Sequence, residues 1–77
     1  MDNQREAIHY YQLALFINPG LAEAHNNLGI DLIRMGMREP GLYHLREAVR
    51  LRPEWKEARN NLTLALSHPF PPLRQKQ

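Results

Sequence analysis

The stretch Glu23-Ala24-His25-Asn26-Asn27-Leu28-Gly29-Ile30-Asp31-Leu32 is echoed 34 residues later by Glu57-Ala58-Arg59-Asn60-Asn61-Leu62-Thr63-Leu64-Ala65-Leu66. Working outward, the same shift carries Ala14 onto Ala48 and Pro19 onto Pro53. It also pairs Ile8 with Leu42, Leu15 with Val49, Ile17 with Leu51 and Ile30 with Leu64, aliphatic in both copies. Chance matches scatter, whereas these fall at helical spacing and so mark a structural period.

Each period reads as two helices. The first segment, 4–17, sets Ala7, Ile8, Tyr11, Ala14 and Leu15 on one helical face. Asn18-Pro19-Gly20 ends it, because proline offers no amide hydrogen and disfavours helix in the residue before it. The second segment, 22–35, carries Leu28, Leu32 and Met35 and stops at Gly36, a glycine placed to leave the helix with positive φ. A third helix is predicted over 40–51, with Pro40 tolerated in its first turn and Arg52-Pro53 closing it. A fourth is predicted over 55–67 through Ala58, Leu62, Ala65 and Leu66, and His68-Pro69-Phe70-Pro71-Pro72 stops it. Short loops between helices of this length force antiparallel hairpins, and the small residues Ala14, Ala24, Gly29, Gly41, Ala48 and Ala58 let them approach closely. The expected fold class is all-α, four helices in stacked antiparallel hairpins over residues 1–67, with a polar, proline-rich tail over 68–77.

Composition narrows the function classes. A chain of 77 residues holds one small domain or a piece of a larger one, and 43% hydrophobic with 23% charged residues excludes disorder throughout. The longest apolar run, Leu13 to Ile17, is far short of the roughly 18 residues a membrane span needs. The first residues lack the basic, then apolar, pattern of a secretory signal, which points to the cytoplasm. Absence of cysteine excludes disulfides, thiolate zinc sites, iron–sulfur clusters and cysteine nucleophiles. A net charge of +2 is too small to argue for nucleic acid.

These residues resemble the tetratricopeptide repeat. Ala7, Tyr11, Ala14 and Pro19 match the second helix of one repeat, and 22–53 matches a whole repeat through Leu28, Gly29, Gly36, Ala48 and Pro53. Residues 56–67 match the first helix of the next through Ala58 and Leu62. The departures are His25 and Arg59 in place of a bulky aromatic, Thr63 in place of glycine and Gly41 in place of alanine. The resemblance implies a right-handed solenoid with a concave side lined by first helices, and a degenerate last helix suits a terminal cap. It also implies that the chain is out of phase with the repeat unit, so Ile8, Tyr11 and Leu15 are expected to be partly uncovered. A longer array, a second copy of the chain or closure into a bundle would each cover that oligomer-interface candidate.

The family's ligand-facing positions fall on Glu23, Asn26, Asn27, Ile30 and Arg34, then on Glu57, Asn60, Asn61 and Leu64. A side-chain amide offers one acceptor and two donors and can clasp a peptide backbone whatever side chains it carries. An asparagine ladder of Asn27 and Asn61 resembles the repeats of the O-linked N-acetylglucosamine transferase superhelix. The expectation is a non-catalytic module that binds an extended peptide through Asn27 and Asn61, with Asn26, Asn60, Arg34 and Glu57 setting preference. Its partners are then proteins or peptides, with neither membrane nor nucleic acid expected. The family's other mode, a carboxylate clamp of basic residues, is disfavoured by Asn26 and Asn60 where lysine is needed and by Glu23 and Glu57 nearby. Alternatives are a structural or oligomerisation role through the first helix, or presentation of substrates to a separate catalytic domain.

The remaining signals have plain structural readings. His9, His25, His44 and His68 show no metal-ligand spacing, so no metal or cofactor is expected. His25 is expected to fill the aromatic packing slot, with His9 and His44 on helix surfaces. Ser67-His68 lacks a supporting acid, so no catalytic residue is assigned. The arginines are interspersed with carboxylates and read as a solvated mixed-charge face. Trp55, Tyr10 and Tyr11 read as packing residues. Pro69-Phe70-Pro71-Pro72-Leu73-Arg74 fits the spacing read by SH3 grooves but reads first as a helix terminator.

Overall fold

The computed structural model describes residues 3–67; the proline-rich stretch and the tail lie outside the described residues. Four helices follow one another: α1 (Asn3–Ile17), α2 (Ala22–Arg34), α3 (Arg38–Leu51) and α4 (Lys56–Ser67). No strand occurs among the described residues.

The turns show why the helices stop where they do. After α1, the Asn18 amide donates to Ala14 O (2.8 Å), Leu21 N to Asn18 O (3.3 Å) and His25 N to Leu21 O (3.1 Å). After α3, the Arg52 amide donates to Ala48 O (3.0 Å), Trp55 N to Arg52 O (3.0 Å) and Arg59 N to Trp55 O (3.2 Å). Each bond in the second set is a bond of the first moved by 34 residues, so the sequence period is also a backbone period. Between α2 and α3 the chain turns differently. Gly36 takes φ +89, its amide donates to Ile33 O, and the Met37 amide reaches back to Leu32 O. That pair of bonds caps the last turn of α2 and needs the one residue type that adopts positive φ without strain.

The third helix begins at Arg38, two residues earlier than the proline suggested. Pro40 lies within the first turn, where amide groups have no partner within the helix, so its missing N–H costs no hydrogen bond. The early start also places Arg38, whose Nη2 donates to the Ala65 carbonyl oxygen at 2.7 Å. Ala65 sits in the last turn of α4, where carbonyls lack helical partners and a cation is favoured.

The centre of the molecule is the α2–α3 hairpin, its most extensive helix contact. A Cβ built on Gly29 would lie 2.8 Å from the Gly41 carbonyl oxygen and 2.8 Å from Leu45 Cγ, and one built on Gly41 would overlap the Ile33 side chain. Ile33 meets the start of α3 while Gly29 meets Leu45 further along it, so the two helices run antiparallel and touch backbone to backbone. Around this crossing Ile33, Leu42, Leu45 and Ala65 form the core, with Ile30 and Leu62 packed against it. Removing a large aliphatic side chain from water contributes about 1.5–3 kcal/mol, so most of the stabilisation concentrates in this hairpin.

Candidate functional site

Asn26 was expected on the open wall of the first helices. It is instead 2% exposed, and its Oδ1 accepts a hydrogen bond from Asn61 Nδ2 at 3.1 Å. The cause is the local approach of α4 to α2 at this residue, where a buried amide must be satisfied. Asn26 therefore ties α2 to α4, and its side chain is covered rather than open to a peptide. Asn61 is half-buried with one donor committed, whereas Asn27, its counterpart 34 residues earlier, is exposed. The two are not equal rungs of one ladder. Asn60, the counterpart of Asn26, is exposed, as are Glu23, Arg34 and Glu57, with Ile30 half-buried and Leu64 exposed beside them.

A second polar contact starts one residue earlier on α2, at His25. His25 Nε2 lies 2.9 Å from the Pro19 carbonyl oxygen, and its Nδ1 lies 3.0 Å from His44 Nδ1. A carbonyl only accepts, so His25 donates through Nε2. The two Nδ1 atoms share one hydrogen bond between the rings. The rings stack with centroids 5.2 Å apart. His25 is buried in the packing of α2, while His44, expected on a surface, is half-buried against it. Burial, and then the neighbouring His25 ring, hold His44 below the ordinary imidazole value of 6.5; the Glu47 carboxylate pulls the other way. Trp55 is half-buried with the Arg52 guanidinium 4.6 Å from its ring centroid.

The apolar surface is on α1, which has no fully buried residue and makes its one extensive contact with α2. Ile8, Tyr11 and Leu15, expected to be partly uncovered, are half-buried. The open face lies further round the helix, where Tyr10 is 68%, Leu13 56%, Phe16 85% and Ile17 74% exposed. A signal for it was present in the chain. Between Glu6 and Glu23 there is no Asp, Glu, Lys or Arg, while the counterpart stretch contains Arg46, Glu47, Arg50, Arg52, Glu54 and Lys56.

Among the described residues no three His, Cys, Asp or Glu side chains gather as a metal site would require, and no helix is long and apolar enough to cross a membrane. Comparison with protein-family models, with curated proteins and with solved structures finds no match.

Proposed function

We propose that the chain is a non-catalytic protein-interaction module of the tetratricopeptide kind, its hairpins stacked as a right-handed solenoid, holding an extended peptide along α2 and α4. The recurrence of the turn hydrogen bonds at a shift of 34 supports the repeat reading. The observation that carries the binding reading is the doubled polar pattern: exposed Glu23, Asn27 and Arg34 on α2, exposed Glu57 and Asn60 on α4, with the two helices clamped together by Asn26 and Asn61. Asn27 keeps its full amide for a peptide backbone, and Asn61 offers its oxygen and its second N–H. Arg34, Glu57 and Asn60 set the preference among peptides, and Asn26 holds the wall in shape.

Selection of random peptides displayed on phage against the wild-type chain gives the probes. Their affinity is expected to fall at least about tenfold in Asn27→Ala with Glu57→Ala, measured by fluorescence anisotropy, with helicity unchanged. Asn26→Ala is expected instead to lower the unfolding midpoint. Unchanged affinity in the double variant contradicts the binding reading. A second reading, self-association through α1, is favoured by the exposure of Tyr10, Leu13, Phe16 and Ile17.

A further inference from the structure

The geometry points to a specific pairing of two copies of this chain, α1 against α1 of the second copy, antiparallel about a twofold axis near Leu13. It deepens the self-association reading above and does not depend on peptide binding.

The internal repeat decides what a vacant array position alone would expose. On α3, the residues counterpart to Tyr10, Tyr11, Ala14 and Ile17 are His44, Leu45, Ala48 and Leu51, all buried or half-buried. On α1 Tyr11 and Ala14 are half-buried while Tyr10 and Ile17 are exposed, and that loss of cover is what a vacant neighbour position leaves behind. Leu13 and Phe16 are different. Their counterparts are Glu47 and Arg50, which form an ion pair at 2.7 Å with side chains 22% and 66% exposed. A preceding repeat helix placed as α2 is placed on α3 would leave Phe16 in water. Replacement of the exposed Arg50 of that pair by phenylalanine at position 16 therefore calls for an occupant other than the next helix of an array.

A second copy satisfies the chemistry of this face. It has no Asp, Glu, Lys or Arg from Ala7 to Ala22, so two such faces meet without opposed carboxylates, ammonium or guanidinium groups. Tyr10, Leu13 and Ile17 follow one another at i, i+3 and i+7, with Phe16 alongside. An antiparallel pair centred on Leu13 sets Tyr10 of one copy over Phe16 of the other, twice by symmetry, and carries Arg5 and Glu6 to opposite ends.

Head-to-tail stacking is disfavoured by the same template. Seating α1 of one copy on α4 of another, as α3 sits on α2, would bring Ala7 and Thr63 to the places of Gly41 and Gly29. A Cβ at Gly29 would already lie 2.8 Å from the Gly41 carbonyl oxygen, so two residues with Cβ atoms cannot cross at that distance. The association closes as a pair and does not grow into a filament.

The test is sedimentation velocity over a concentration series, with Leu13→Glu/Phe16→Arg as the variant. That variant gives α1 the same pair that α3 already carries at these positions, and its helix content is checked by circular dichroism. The wild type is expected to form dimers with a dissociation constant on the order of 10–100 µM, as suits a contact of one helix per copy. The variant is expected to weaken pairing at least about 100-fold with peptide binding intact. Leu13→Cys gives an independent readout, because the chain has no native cysteine. Mild oxidation is expected to cross-link it into dimers, and Arg46→Cys on α3 is expected to stay monomeric. A wild type that is monomeric at about 1 mM, a variant that still pairs, a ladder of species beyond the dimer, or equal cross-linking at the two cysteines would each overturn the pairing. None of those results bears on the affinity of phage-selected peptides, so the peptide reading stands or falls separately.

Discussion

Helices α1 and α3 occupy the same position in two successive periods, yet α3 buries Gly41, Leu42, Leu45 and Ala48 whereas α1 buries nothing completely. Their turns are alike to the hydrogen bond. The difference lies in what surrounds them. α3 packs extensively against both α2 and α4, and α1 against α2 alone. Two helices with the same local code therefore differ in burial through tertiary context, which is where most helix stability in proteins originates. The sequences have adapted to that context. Glycine at position 41, where backbone meets backbone, becomes half-buried alanine at position 7; the ion pair of half-buried Glu47 and exposed Arg50 becomes Leu13 and Phe16.

The largest expected effect sharpens this contrast at the crossing. Gly41→Ala sets a Cβ against Ile33 and 2.8 Å from the Gly29 carbonyl oxygen, and backbone cannot yield cheaply. A net loss of about 2 kcal/mol is expected, even after the gain in helix propensity. The reverse change on the counterpart, Ala7→Gly, is expected to cost about 1 kcal/mol through propensity alone. Urea unfolding followed by circular dichroism checks both. A Gly41→Ala chain more stable than wild type would break the claim that the hairpin depends on that close approach.

A smaller effect distinguishes His44 from Tyr10, its counterpart. The fold disfavours the charged form of His44, chiefly by burial, so its pKa is depressed. A depressed histidine binds its proton more readily in the unfolded chain. Its contribution to stability is then complete above 6.5 and declines as pH falls through 6.5 toward the lower folded-state value. Glu47, held low chiefly by its hydrogen bond from Arg50, acts only in a more acid window, below its ordinary value of 4.5. Thermal midpoints between about pH 7.5 and about pH 5 are expected to drop slightly in wild type, and less in His44→Gln. An equal drop in both would remove His44 from the account.

Much of this architecture was legible from the residues. The prolines, Gly36 and the aliphatic spacing located all four helices, because breakers and periodicity act locally. The start of α3 was misplaced because Pro40 is tolerated anywhere in a first turn, and the bond from Arg38 to Ala65 spans 27 residues of sequence. The asparagines were harder. Asn26 and Asn27 are neighbours of one type on one helix, and only the position of α4 sends one into a contact and leaves the other in water. The pairing of His25 with His44 is likewise a product of the hairpin crossing. The open face of α1 was readable in principle, from its missing charges rather than from its hydrophobic period.

Native-state amide exchange, at a concentration dilute enough for the chain to be monomeric, tests the contrast between the two helices most directly. Amides of Leu45 and Ala48 on α3 are expected to exchange only through global unfolding, and those of Tyr11 and Ala14 on α1 at least about 100-fold faster through local opening. Equal protection at the paired positions would contradict the account.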